Sequence, residues 1–363
     1  MSTPTDLPIV LYHYDGSPYA KRIVWYLALR GIPYSQCLQP PIMPRPDLAR
    51  LGIAYRRIPL LSIGRDVYLD TRLILQKLEA LYPPSAAHPP LSARTGEHAA
   101  IERLLSRYAT DGGLFMNAVR LIPAEAPMLK DPRFLRDRAD FAGVVGEGAP
   151  SPLSPEALAA ARPEALAEVR GAAELLETTL LADGRDWVLG STPGPALADI
   201  EAVWVLMWVV RMPGALPADV VGPRQFPKVF AWIERFQRAV DEAARKAGGA
   251  KALTGEEAAR VILGASFVEG GRGGDEDTVH VDEKDPVAVA GGLKKGANVR
   301  LWPTDSGSLH KDSGVLVGFT RSETVIETRG GDGEVLVRLH APRHGFRVRR
   351  VVAEDGASSG LKL

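Results

Sequence analysis

Leu11-Tyr12-His13-Tyr14-Asp15-Gly16-Ser17-Pro18-Tyr19-Ala20-Lys21-Arg22 is the stretch from which the fold is read. The residues that lead into it, 9–12, are β-rich, and Gly16-Ser17-Pro18 is a turn. From position 19 to 30 the apolar residues Ile23, Trp25, Tyr26, Leu27 and Leu29 recur at loosely helical spacing. Pro18 suits a first helical position, where its missing N–H leaves no bond unmade, and Gly31 stops the helix. A second strand at 32–38 pairs in parallel with the first. Residues 39–46 are a Pro-rich loop. Strands at 59–63 and 67–69 flank Gly64-Arg65-Asp66 as a hairpin. An amphipathic helix over 70–82 presents Leu73, Ile74, Leu78 and Leu81, and Pro83-Pro84 ends it. Residues 1–84 thus form a small domain of order β-α-β, β-β-α.

Beyond a linker at 85–92, residues 93–267 read as an all-α domain. Leu104, Leu105, Tyr108, Leu114 and Phe115 mark one helix. Others span 157–181, 199–210 and 226–246. The third is apolar nearly all round and belongs at the centre of the core. Residues 268–292 carry a Gly- and acid-rich run and read as a flexible linker. Five short strands follow at 298–302, 315–319, 324–328, 335–339 and 346–351, with Gly330-Gly331-Asp332-Gly333 at a hairpin turn. They predict an SH3-like small β-barrel over 293–355.

The composition narrows the function. Of the 363 residues, 45% are hydrophobic and 24% charged, which excludes a disordered or collagen-like chain. Lys plus Arg and Asp plus Glu both number 44, so no single-sign field marks a nucleic-acid binder. The run Ile200 to Val210 is broken by Glu201 and too short to cross a bilayer, and the N-terminus lacks a signal-peptide pattern. Cys37 is the only cysteine. That excludes an internal disulfide and a CxxC pair and fits the cytosol. His340 and His344 lack a visible acidic partner, so no metal is expected. Arg343, Arg347, Arg349 and Arg350 give the barrel a basic edge that keeps an exposed strand soluble.

The opening stretch resembles the strand-to-helix turn of glutathione S-transferases, in the groups with a Ser- or Cys-Pro-Tyr/Phe-Ala motif (fungal-type or omega/etherase-like). Arg56-Arg57-Ile58-Pro59-Leu60-Leu61 resembles that family's cis-proline segment. Asp70-Thr71-Arg72-Leu73-Ile74 resembles its Glu/Asp-Ser/Thr pair. Ala198-Asp199-Ile200 and Phe226-Pro227-Lys228-Val229-Phe230-Ala231-Trp232 resemble two helical features. The likeness covers about 8–245 and leaves out the barrel. It implies a thioredoxin-like α/β N-terminal domain, an all-α domain, glutathione as co-substrate, and a homodimer unless the added barrel blocks the interface.

In that frame Ser17 donates a hydrogen bond to the glutathione thiolate at a helix N-terminus, which favours an anion. Tyr14 is the rival hydroxyl. A cis Ile58–Pro59 bond frees the Ile58 backbone to pair with the extended tripeptide. Thr71 binds the γ-glutamyl carboxylate and Asp70 the ammonium. Gln39, Arg45 and Arg56 are the candidates for the glycyl carboxylate. Tyr108, Phe115 and Met116 line the electrophile pocket. At position 196 an alanine replaces the expected capping Ser or Thr, a loss of about 1 kcal/mol. The implied chemistry is conjugation to a small-molecule electrophile, or glutathione-dependent isomerisation, dehalogenation or ether cleavage. Rival readings are a non-catalytic ligand-binding protein and an adaptor whose barrel docks a protein partner.

Overall fold

The computed structural model describes residues 6–93, 95–144, 151–190, 192–268, 280–330, 333 and 335–351. The chain opens with β1 (Ile9–His13), α1 (Pro18–Arg30), β2 (Ser35–Leu38), α2 (Pro46–Ala49), β3 (Leu60–Ile63), β4 (Asp66–Leu69) and α3 (Thr71–Leu81). β1 runs parallel to β2 and antiparallel to β3, which pairs with β4. This is the thioredoxin-like arrangement. Local chemistry sets the ends of α1. The Ser17 hydroxyl caps it, Pro18 opens it, and Gly31 closes it in the left-handed conformation at φ 61°. β2 starts three residues later than predicted, and an unpredicted short α2 begins at the end of the expected 39–46 loop.

The helical domain comprises α4 (Gly96–Thr110), α5 (Leu114–Arg120), α6 (Pro132–Phe141), α7 (Pro155–Leu175), α8 (Leu197–Val210) and α9 (Pro227–Ala247). The single helix expected around Tyr108 is two, α4 and α5, because Gly113 turns the chain at φ 82°. α8 lies at the centre, with Trp204 fully buried. Its alanine N-cap carries no penalty of the expected kind. Asp199 accepts from the Val188 N–H at 2.9 Å, the Ala196 N–H at 2.8 Å and Trp232 Nε1 at 2.8 Å. One buried carboxylate does the capping and ties α8 to α9, and burial pushes it up to about 6.

The two domains are joined through a charge. Arg22 of α1 is fully buried. Its guanidinium donates to Thr71 Oγ1 at 2.5 Å and Ser106 Oγ at 3.4 Å, and forms an ion pair with Glu201 of α8. It also lies over the Trp204 ring, 5.2 Å from its centroid. Four elements, α1, α3, α4 and α8, converge on one side chain.

The remaining elements are β5 (Lys251–Ala252), α10 (Gly255–Leu263), α11 (Pro286–Gly291), β6 (Asn298–Pro303), β7 (Asp312–Phe319), β8 (Glu323–Gly330), β9 (Val335–Pro342) and β10 (Phe346–Arg350). The five predicted C-terminal strands exist, but the predicted SH3-like barrel does not close. The pairings run β10-β6-β7-β8-β9-β4-β3-β1-β2-β5 in one ten-stranded sheet. β9 joins β4 in parallel, with Asp66 beside Arg338, Val67 beside Leu339 and Tyr68 beside His340. The physical reason is the edge of β4, whose unpaired backbone groups are satisfied by a strand from far along the chain. The linker predicted over 268–292 is folded over its described part. Val281 bridges to Phe319, and α11 is held by Asp285 to Arg343 at 3.1 Å. Arg343 is therefore not part of a free basic edge. Residues 269–279 and the turn residues Gly331 and Asp332 lie outside the described residues.

The seam between β4 and β9 is polar at its centre. His340 is buried, with Nε2 2.7 Å from Asp66 Oδ1 and Nδ1 3.2 Å from Glu323 Oε2. Glu323 also takes Lys77 of α3 at 2.6 Å. The acidic partners not visible in the sequence come from β4 and β8. Burial opposes the imidazolium, but the two carboxylates outweigh it and hold His340 above its ordinary value. At Gly52, φ 71°, a side chain would meet the Arg329 carbonyl at 2.1 Å, so the preceding loop also presses against β8.

Two outcomes follow. Glu201→Ala strands the buried Arg22 charge and lowers unfolding free energy by about 3–5 kcal/mol, measurable by denaturant titration. His340 binds its proton more tightly folded than unfolded. Its stabilisation is complete below about pH 6.5 and is lost as pH rises through the raised folded value. Thermal scans from pH 6 to 9 should show a fall in Tm that is absent in His340→Gln.

Candidate functional site

Ser17, Ile58–Pro59 and Asp70-Thr71 come from three different connections, all at the ends of β-strands or the starts of helices in the N-terminal domain. The Ser17 Oγ accepts the Ala20 N–H at 3.2 Å, and the residue is 2% exposed. Because that bond uses a lone pair, the hydroxyl proton is left to donate elsewhere. Tyr14 sits half-buried on the other side of the turn, where its carbonyl accepts the Ser17 N–H at 3.0 Å. Cys37 is buried in β2, and burial pushes its thiol up to about 12. It is not a nucleophile at neutral pH.

The Ile58–Pro59 peptide is cis. Strand pairing of this segment begins only at Leu60, so residue 58 lies just outside the ladder. Asp70 has φ 68° and ψ 131°, a left-handed φ that costs a non-glycine residue on the order of 1–3 kcal/mol. It caps α3 by accepting the Arg72 N–H at 2.9 Å, and its carboxylate also takes Arg72 Nε and Nη2, each at 3.2 Å. Burial pushes this carboxyl up, but the charge and hydrogen bonds of Arg72 outweigh it and hold it below the usual range. Arg72 reaches on to Asp111 at 2.9 Å. Thr71 is buried and accepts from Arg22, which again leaves its O–H as the donor, here suited to a carboxylate.

The three candidates for the glycyl carboxylate are engaged by the protein itself. Arg45 donates to the carbonyls of Pro40, Pro41 and Arg56. Arg56 pairs with Asp137 and Asp140 of α6. Gln39 spends its NH₂ on Asp47 at 3.0 Å and on Cys37 Sγ at 3.3 Å. The atom it leaves unpartnered, Oε1, is an acceptor. None of the three offers free positive charge. The loop and α6 compete for it, a contact invisible from sequence spacing.

The charged groups around the site include residues not singled out above. Tyr19 lies within electrostatic reach of Arg22, Asp70, Arg57 and Arg72, and burial pushes its phenol up to about 12. Its ring packs on Phe115 at 4.8 Å and Trp204 at 4.6 Å between centroids. The signal for Arg22 was present. Arg22, Tyr26 and Arg30 recur every four residues on the buried face of α1, and a charge on an apolar face demands a partner.

Phe115 belongs to the aromatic wall with Tyr19, Trp204 and Trp208. A small apolar cavity between α4, α7 and α8 is lined by Leu105, Tyr108, Leu114, Leu176, Ala202 and Leu206. Of the three predicted pocket residues only Tyr108 reaches it. Met116 is 50% exposed on α5. Among the described residues no cluster of His, Cys, Asp or Glu could hold a metal, and no helix is long and apolar enough to cross a membrane.

Comparison with known proteins bears on the fold. Residues 11–86 match the glutathione S-transferase N-terminal domain family, and residues 117–245 match a domain of unknown function, DUF7962. No curated protein matches the chain. Among solved structures the chain is similar to a GST-like protein from Pseudomonas syringae, with 23% identity and a TM-score of 0.62. That match covers 95% of this chain and 99% of the other. It is also similar to the beta-etherase LigF from Sphingobium sp. strain SYK-6, with 18% identity over 66% of this chain and 100% of the other, TM-score 0.49. A third is a glutathione S-transferase from Methylobacillus flagellatus KT, solved with glutathione bound, with 18% identity over 65% and 98% of the two chains and a TM-score of 0.45. The chain thus has a glutathione S-transferase-like fold, with a thioredoxin-like N-terminal domain that matches that family and a helical domain behind it.

Proposed function

We propose that this protein is a glutathione transferase that activates the tripeptide thiol for attack on an electrophilic small molecule. The observation that carries the reading is that Ser17 caps α1, the Ile58–Pro59 bond is cis and Asp70 caps α3 in one domain that matches the transferase family. Ser17 donates its O–H to the thiolate, and the helix N-terminus adds favourable field. The Ile58 backbone pairs with the cysteinyl peptide unit, Thr71 donates to the γ-glutamyl carboxylate, and Asp70 meets the ammonium. The thiolate forms a carbon–sulfur bond to the electrophile, and the displaced group leaves with its electron pair. The aromatic wall of Tyr19, Phe115 and Trp208 faces that second substrate. Work in the cytosol fits the lone buried cysteine. A homodimer has to form away from the β4 edge, which β9 fills.

The burial of Ser17 and Thr71, 2% and 4% exposed, favours a narrow site, and the second reading is therefore a protein that holds glutathione without turning it over. Retention on immobilised glutathione together with turnover of an aromatic electrophile separates the two. Retention without turnover selects the binding role, and no retention removes both. Ser17→Ala should lower kcat about 100- to 1,000-fold, as loss of one preorganised donor does, while lowering unfolding free energy by only about 1 kcal/mol through the lost cap of α1. Tyr14→Phe should leave kcat within about twofold, since its O–H is assigned no transition-state bond. The reverse pattern would transfer the role to Tyr14.

A further inference from the structure

Among the contacts the C-terminal strands make outside the β4 edge, two lie next to residues that neighbour the proposed ligand groups. The loop between β6 and β7 lies against residues 56–57. Arg57 Nε donates to the Ser306 carbonyl at 2.8 Å, and its Nη2 donates to that carbonyl and to Asp305. Gly307 donates its N–H to the Phe141 carbonyl at 2.6 Å, and a side chain there would come 3.2 Å from Arg56 Cγ. The turn between β9 and β10 lies against Asp111. His344 Nε2 is 3.0 Å from Asp111 Oδ2, the oxygen that also takes Arg72.

Arg57 immediately precedes Ile58, and Arg72 immediately follows Thr71. One module therefore holds Arg57 directly and reaches Arg72 through Asp111. Its hold on Arg57 uses Nε and Nη2. Among the described residues Nη1 makes no hydrogen bond, and the side chain is 19% exposed. Asp305 and His344 are more than half exposed at the rim. Ion pairs this exposed add little to folding. Their effect is on orientation, because a guanidinium held along one edge presents the other edge in a fixed plane to a carboxylate.

We propose that the C-terminal strand module is a wall of the ligand site, in which Asp305 and the Ser306 carbonyl set Arg57 toward a carboxylate of a peptide ligand, while His344 holds Asp111 and through it the Arg72–Asp70 pair that meets the ligand ammonium. The inference rests on the glutathione reading and gives the added strands a role in it. Asp305 and His344 are positioning residues that act through the arginines.

The test is calorimetric titration of the full-length protein with glutathione, alongside thermal unfolding. Asp305→Asn should raise Kd about tenfold, as loss of a charge-assisted bond does, with Tm unchanged. Asp305→Glu should recover most of the affinity. On an Arg57→Ala background Asp305→Asn should cost nothing further, a coupling that a purely structural role would not produce. His344→Gln should weaken binding several-fold. A wild type that binds glutathione while Asp305→Asn binds equally well, or losses that add on the Arg57→Ala background, overturn the wall and leave the transferase reading standing. A wild type that does not bind glutathione overturns both.

Discussion

The Arg22 guanidinium is the constraint on which the rest of the molecule depends. It carries a full charge with no exposure to water, so every one of its contacts must be made by the protein. Thr71, Ser106, Glu201 and the face of Trp204 serve its Nη1 and Nη2 from α3, α4 and α8, and Nε is left buried without a partner among the described residues. A helical domain displaced by even a few ångströms would leave Glu201 and Arg22 unpaired in an apolar interior. The same group that locks the domains together also takes one lone pair of the Thr71 hydroxyl, and so determines what that hydroxyl can do for a ligand. Stability and site chemistry share one side chain.

A second buried polar group performs the corresponding task for the C-terminal strands. His340, between Asp66 and Glu323, joins β9 to β4 at the point where the two sheets merge. Lys77 adds a contact from α3. The merged sheet leaves β4 with no open edge, and it brings two loops of the module to the residues on either side of Ile58–Pro59 and Asp70-Thr71. The strands are therefore not an independent body on a tether. Their position is set by the same polar seam that removes the edge, and the ligand groove inherits its outer boundary from it.

Much of the N-terminal domain is legible from short-range chemistry. Ser17-Pro18 and Gly31 define α1, Pro59 and Asp70 stand where the turns require them, and the apolar run after Asp199 has to be central. What misled was partnership over long distance. Arg45 and Arg56 look like free cations in the sequence, yet the carbonyls of a Pro-rich loop and the carboxylates of α6, more than eighty residues on, consume them. Ala196 looks like a failed cap, yet Asp199 takes the Ala196 N–H and the Leu91 carbonyl takes the Leu197 N–H.

Local sequence specifies the secondary elements of the first domain, the Ser17, Pro59 and Asp70-Thr71 signatures, and the existence of five C-terminal strands. Each of these follows from backbone preference, capping or alternation within a dozen residues. Only the tertiary structure decided that the strands extend the first sheet rather than close on themselves, which arginines remain free, and where His340 finds its carboxylates. Hydrogen-bonding groups at a strand edge accept any compatible partner, and local pattern carries no record of which distant one arrives.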